Sequence, residues 1–142
     1  AVGMATSVEV DTLGLSKALT MATERALDTI ATELPIDSII LDGNVNYLKT
    51  TKYSHIPTHV EEKLDASCDV VAAASIVAKV IRDSHMDELA EKYPGYGWEK
   101  NKGYFAPKHH EGLITLGATD EHRTSWAWVS KYPNITYTVR EN

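Results

Sequence analysis

Asp42 and Asp65 are the side chains whose positions in the chain suggest chemistry. Asp42 closes the apolar run Ser38-Ile39-Ile40-Leu41 and precedes Gly43-Asn44, and Asp65 closes the weaker strand-like run Thr58-His59-Val60-Glu61-Glu62-Lys63-Leu64. In open α/β sheets functional groups collect beyond the carboxyl ends of the strands, which is the reason to pair the two. Two carboxylates brought together without a cation repel and raise each other's pKa, and a divalent ion removes that cost. Oxygen ligands without Cys or His select Mg²⁺ or Mn²⁺ over Zn²⁺. Asp-Gly is also a common turn, so Asp42 taken alone is more often a turn former than a ligand.

A second set of groups suits an anionic partner. The stretch from Lys63 to Asp83 is almost featureless through Ala72-Ala73-Ala74-Ser75-Ile76-Val77-Ala78, and charge enters only at Lys79, Arg82 and Asp83. From Lys92 to Lys108, Lys92, Lys100, Lys102 and Lys108 face only Glu99 and are interleaved with Tyr93, Tyr96, Trp98, Tyr104 and Phe105. Aromatic stacking on a sugar or base, with lysines on phosphates, is the functional reading, and a hydrophobic satellite cluster with solvated lysines is the plain one. His109 and His110 are neighbours and diverge by about 100° on a helix, so they do not form a metal pair.

The elements that must position these groups follow an α/β order. Residues 1–6 read as a strand, Asp11 as an N-cap, and Leu15, Leu19, Ala22, Ala26 and Ile30 as the core face of a helix ending near Leu34. Residues 38–41 read as a strand buried on both faces, residues 45–57 as a loop, and residues 58–64 as an edge strand. Asp69 then caps a buried helix to about Lys92, in which Ile76, Val77 and Val80 fill a core. Tyr93-Pro94-Gly95-Tyr96-Gly97 breaks the chain, and a short helix follows from about Pro107 to Leu116. The segment 117–128 and the tail after it lack clear periodicity. Three strands leave little sheet for the helices to cover.

Composition is that of an ordinary globular domain, with 43% hydrophobic and 24% charged residues in 142. The net charge of −6 argues mildly against nucleic acid, but residues 1–65 alone hold ten acidic against five basic side chains, which leaves the later window basic. The single cysteine, Cys68, excludes an intramolecular disulfide framework and fits a reducing compartment. No apolar run approaches the ~20 residues of a membrane span, and no signal-peptide pattern is present. Cytoplasm is the simplest address.

Lys63-Leu64-Asp65, Ala72-Ala73-Ala74-Ser75-Ile76, Ala78-Lys79-Val80 and Arg82-Asp83 closely resemble the Lys-Gly-Asp, Ala-Ala-Ala-Ser-Ile, Ala-Lys-Val, Arg-Asp signature of bacterial ribonuclease HII. Ile39-Ile40-Leu41-Asp42-Gly43-Asn44 is similar to that family's Leu-Ile-Asp-Gly-Asn strand, and Val8-Glu9-Val10-Asp11 to its structural helix entry. Tyr96-Gly97-Trp98 and Asn101-Lys102-Gly103-Tyr104 resemble its Tyr-Gly-Phe and His-Lys-Gly-Tyr segments, with Trp98 for Phe, Asn101 for His and Ala106 for a following Thr. His109 matches a family His. His122-Arg123-Thr124-Ser125-Trp126 resembles its His-Arg-Arg-Ser-Phe stretch, where Arg123 suits packing more than a phosphate contact.

The resemblance covers essentially the whole chain and corresponds to roughly the last two thirds of a typical member. It implies an α/β, ribonuclease H-like mixed sheet flanked by helices, here without its first two strands, in one domain over residues 1–142 with a C-terminal helical segment. The family's Asp-Glu-Gly-Arg-Gly strand has no match, which points to an absent N-terminal segment. The implied activity is two-metal, Mg²⁺- or Mn²⁺-dependent cleavage of the RNA strand of RNA–DNA hybrids and at single ribonucleotides in duplex DNA. Asp42 and Asp65 would be metal ligands, and Tyr104, Lys102, Lys79 and Arg82 substrate-binding. The alternative is a catalytically incomplete nucleic-acid-binding fragment, and a third reading is a plain structural α/β domain.

Overall fold

A computed structural model describes residues 1–127 and 129–132; Trp128 and the tail beyond Tyr132 lie outside the described residues. The chain divides into two compact units, Ala1–Ala78 and Lys79–Asn142.

In the first unit, residues 1–6 form no strand. They are held instead against a helix. Gly3 sits so close to it that a Cβ would lie 1.8 Å from the Ala22 carbonyl oxygen, and Arg25 donates to the Met4 carbonyl at 2.6 Å. The first helix, α1 (Ser7–Leu13), starts at Thr6, and Asp11 lies inside it. Thr6 and Glu9 satisfy each other's backbone N–H groups in a capping box, two orphan donors that Asp11 could not reach together. Glu9 also pairs with Arg25 at 2.5 Å, and its carboxyl is held down to about 2, first by the Arg25 hydrogen bond and then by the Thr6 N–H.

Gly14, at φ 81°, separates α1 from α2 (Leu15–Ala31). The helix buries Ala18 and Leu27, whereas Leu15 and Leu19 are exposed, so the expected core face is rotated. It ends at Ala31, short of Leu34, where the Thr32 hydroxyl donates to the Thr29 carbonyl at 2.7 Å.

Strands β1 (Ile39–Asp42) and β2 (Thr58–Glu61) pair in parallel, with Ile39 opposite Thr58 and Asp42 opposite Glu61. This two-stranded parallel sheet is the only sheet among the described residues. Burial alternates along β1: Ile39 and Leu41 are buried and Ile40 is exposed, so one face is covered rather than the expected two. The intervening loop has no regular element but supplies Leu48, Tyr53 and Ile56 to the core around Leu27, Ile39 and Leu41. Asn46 and Thr51 accept the Leu48 and Tyr53 N–H groups at 2.9 and 3.1 Å, and the Tyr53 hydroxyl donates to Asp28. Side-chain bonds to backbone thus hold a segment without a ladder.

The long helix α3 (Asp69–Lys92) begins at Asp69, whose carboxylate lies in its first turn. It is not the expected buried helix. Ile76, Val77 and Val80 are 63%, 50% and 61% exposed, and Leu89 alone is buried. Among the described residues nothing covers the middle of this helix. None of the helices among them is long and apolar enough to cross a membrane.

In the second unit α3 stops at Lys92, before Pro94-Gly95, and a short helix α4 (Trp98–Asn101) follows. The core gathers Leu89, Tyr93, Tyr96, Trp98, Leu113, Ala118 and Val129. Tyr96 is fully buried, stacks on Trp98 with centroids 5.0 Å apart, and donates to the Gly117 carbonyl at 2.8 Å. The helix α5 (Pro107–Leu116) has the bounds read from the sequence and approaches Tyr96 through Gly112, where a Cβ would lie 2.8 Å from the ring.

The family Thr that Ala106 replaces falls on the N-cap of α5. Ala106 has the extended backbone of a cap, φ −147° and ψ 158°, and no side chain to accept an orphan N–H. Ala106→Thr is expected to stabilise the protein by about 1 kcal/mol, read as a raised midpoint in urea at unchanged slope.

Candidate active site

The carboxylate of Asp42 lies at the end of β1, exposed, and its Oδ1 accepts the Leu64 N–H at 3.0 Å. Leu64 opens a 3₁₀ turn, Leu64–Ala66, that contains Asp65. Asp65 therefore sits in a turn past the end of β2 rather than on a strand end. The turn is set by Lys63, a non-glycine residue at φ 62° and ψ 30°, and anchored by the buried Leu64 side chain. The Leu64 carbonyl then accepts the N–H groups of Ser67 and Cys68 at 3.1 and 2.8 Å. The side chain of one aspartate thus holds the residue preceding the other, within the first unit.

The candidate substrate residues all lie in the second unit, and each basic one carries an acidic partner. Arg82 donates to Asp83 Oδ1 from Nε and Nη2 at 3.1 and 2.6 Å, and from Nη1 to the Tyr104 hydroxyl at 2.7 Å. Its guanidinium lies 5.1 Å from the Tyr104 ring centroid. Lys79 pairs with the other oxygen of Asp83 at 3.2 Å, and Lys102 pairs with Asp87. The Arg82 hydrogen bonds push the Asp83 carboxyl down, and Asp83 together with Tyr104 raises Arg82 further.

Tyr104 is 63% exposed, whereas Tyr93, Tyr96 and Trp98 are buried, so the aromatic window splits into core and surface. The turn into Tyr104 uses Lys102 at φ 48° and Gly103 at φ 81°. Asn101, which stands where the family has His, braces this turn: its amide donates to the Tyr96 carbonyl at 2.8 Å and its oxygen accepts the Gly103 N–H at 2.9 Å. Beneath it, His109 and His122 are buried with their Nε2 atoms 3.2 Å apart. Burial lowers both imidazoles, His122 to about 4, with His109 pushing it down further. Arg123 packs over Trp126, its guanidinium 3.7 Å from the ring centroid.

A family model for ribonuclease HII matches residues 2–129 of this chain. The chain belongs to the ribonuclease HII family. It is 41% identical over 94% of its length to the ribonuclease HII of Streptomyces avermitilis and covers 54% of that protein. The corresponding protein of Thermus thermophilus is 41% identical over 94% of the chain, which covers 62% of it. That of Jannaschia sp. is 42% identical over 91% of the chain, with 62% covered. The chain thus spans between half and two thirds of the length of these curated ribonuclease HII relatives.

The sequence left Asp83 and Asp87 without a role, although the Lys79 to Asp83 spacing is that of an i, i+4 ion pair. His122 carried no signal beyond its family match, because its partner lies thirteen residues away and no periodicity connects them.

The buried histidines give a pH dependence. Their folded pKa is lowered, so the unfolded chain takes up protons first and stability falls as pH drops from the ordinary 6.5 toward about 4. For His122 this amounts to about 3 kcal/mol across that window. Urea midpoints measured between pH 7 and 4 are expected to fall less steeply in His122→Asn than in the unmodified protein.

Proposed function

We propose that this chain is the larger part of a metal-dependent endonuclease that cleaves the RNA strand of RNA–DNA hybrids and acts at single ribonucleotides in duplex DNA, leaving 3′-hydroxyl and 5′-phosphate ends. The observation that carries the reading is the bond from the Leu64 N–H to Asp42, which draws the turn bearing Asp65 to the end of β1 within a ribonuclease HII sequence. Two exposed carboxylates suit a hard divalent cation such as Mg²⁺ or Mn²⁺. They supply part of a cage. Among the described residues no three His, Cys, Asp or Glu side chains gather where they could hold an ion.

Asp42 and Asp65 would hold the cations together with the two acidic residues of the family's Asp-Glu-Gly-Arg-Gly strand. Bound divalent ions in such nucleases act as Lewis acids and lower the pKa of the attacking water. Asp42 is kept in place by the Leu64 N–H, and the Lys63 turn presents Asp65. Tyr104 offers its ring face to the sugar at a ribonucleotide junction, where the 2′-hydroxyl distinguishes RNA from DNA. Lys102, Lys79 and Arg82 would meet phosphates, exchanging Asp87 and Asp83 for them. Exposed Ile40, Val70, Ile76 and Val77 are the faces that a central sheet with the family's first two strands would cover, and cytoplasm suits the single free Cys68.

The same shortage of acidic groups favours a second reading, in which residues 1–142 alone bind nucleic acid without cutting it. Asp42→Asn or Asp65→Asn in the full-length protein is expected to abolish Mg²⁺-dependent cleavage with the fold retained, since an Asn at 42 still offers an oxygen to Leu64. Near-normal turnover in either variant would count against the assignment.

Tyr104→Ala is expected to cost roughly 1–3 kcal/mol on a single-ribonucleotide duplex and less on a continuous hybrid, where many phosphate contacts share the binding. Lys102→Ala should weaken binding to all duplexes alike and flatten the salt dependence. Binding and cleavage on both substrates at two salt concentrations separate these outcomes, and equal loss on both for Tyr104→Ala would make that exposed ring a general duplex contact rather than a reader of the junction.

A further inference from the structure

The core of the second unit contains two histidines that the proposed chemistry does not use. His109, on α5, is 3% exposed, and His122, in the turn after it, is 6% exposed. Their hydrogen bonds determine where the protons sit. His109 Nδ1 lies 3.0 Å from the Tyr104 carbonyl oxygen. A carbonyl only accepts, so Nδ1 carries the hydrogen and Nε2 of the neutral ring is bare. At the other end the Thr119 N–H donates to His122 Nδ1 at 3.0 Å, which leaves that nitrogen bare and puts the hydrogen of the neutral ring on Nε2. The two Nε2 atoms face each other at 3.2 Å with one hydrogen between them, donated by His122 to His109. The Trp98 indole N–H, at 3.3 Å, reaches the same His109 nitrogen.

Every donor in this chain has an acceptor, and the direction is uniform from Thr119 through His122 and His109 to the Tyr104 carbonyl. Adding a proton to His109 would set two Nε2–H groups head to head, so the arrangement requires that ring neutral. An Nδ1–H added to His122 would meet the Thr119 N–H but find the Thr119 hydroxyl at 2.9 Å. Burial favours the neutral state of both rings.

We infer that His109 and His122 are positioning residues for Tyr104: a neutral pair of fixed tautomers that ties the main chain of an exposed ring to the buried core. The inference rests on the reading of Tyr104 as the residue that packs against the junction sugar. The ring itself is largely solvated, and Arg82 meets its hydroxyl and its face. Its backbone is gripped on both sides, the N–H by the Asn101 carbonyl at 2.8 Å and the carbonyl by His109. A stacking residue held this way enters binding with its main chain already ordered, so less freedom is lost on contact.

The test uses the full-length protein with ¹⁵N-labelled histidine. At neutral pH the ring spectra should show His109 with its hydrogen on Nδ1 and His122 with its hydrogen on Nε2; the opposite tautomer at either ring overturns the inference, whatever Tyr104 does. His109→Phe removes the donor and is expected to lower the preference for a single-ribonucleotide duplex over a continuous hybrid about tenfold, the scale of one stacking contact. It should also shift the Tyr104 amide resonance. His109→Asn, whose amide can reach the same carbonyl, should restore most of the preference. A folded His109→Phe with preference and Tyr104 amide unchanged overturns the clamp. If His109→Phe does not fold, the tautomers and the same readouts in His122→Asn decide. If Tyr104→Ala leaves the preference intact, the junction reading fails, and the tautomers and amide shift still test the clamp.

Discussion

A positive φ at a residue other than glycine is the constraint on which the candidate functional residues of each unit depend. It occurs at Lys63 and at Lys102 and at no other non-glycine position among the described residues. Each stands two residues before a candidate functional side chain, Asp65 in one unit and Tyr104 in the other. An L-residue in this region costs roughly 1–2 kcal/mol, so the surroundings must hold it there. Around Lys63 this is done by the buried Leu64 side chain and by the acceptance of its N–H by Asp42. Around Lys102 it is done by the Asn101 brace, the Asp87 ion pair and the His109 bond to Tyr104. The strained turns are therefore tied to the residues they present.

Charge follows the same logic of arrangement over amount. The chain is acidic overall, and the basic groups read as phosphate contacts are each paired with a carboxylate of α3, half-buried at Asp83 and exposed at Asp87. Such exposed pairs contribute little to stability. Their effect is on geometry, because Arg82 is directed toward Tyr104 and Lys79 toward Asp83.

The middle of α3 is the place where composition and environment disagree. Its valines, isoleucines and small alanines are those of a helix packed on every side, and among the described residues they face outward. The ribonuclease HII relatives are longer than the chain that matches them. An apolar helix face costs free energy in water in proportion to its area.

Local pattern was enough to delimit α5, because Pro107 opens it and Gly117 closes it, and to place β1, the break after Lys92 and the family signature around Asp42 and Asp65. Elsewhere the sequence was ambiguous or misleading. Residues 1–6 have the composition of a strand but pair with nothing among the described residues, and Leu15 and Leu19 have helical spacing on a face that is exposed. Nothing local separates Tyr96, fully buried, from Tyr104, mostly solvated. That difference, the Arg82 hydrogen bond to Tyr104 across twenty-two residues and the His109–His122 pair depend on contacts between segments distant in sequence. Periodicity records only which way a side chain points from its own backbone. What lies opposite it was decided by the tertiary structure.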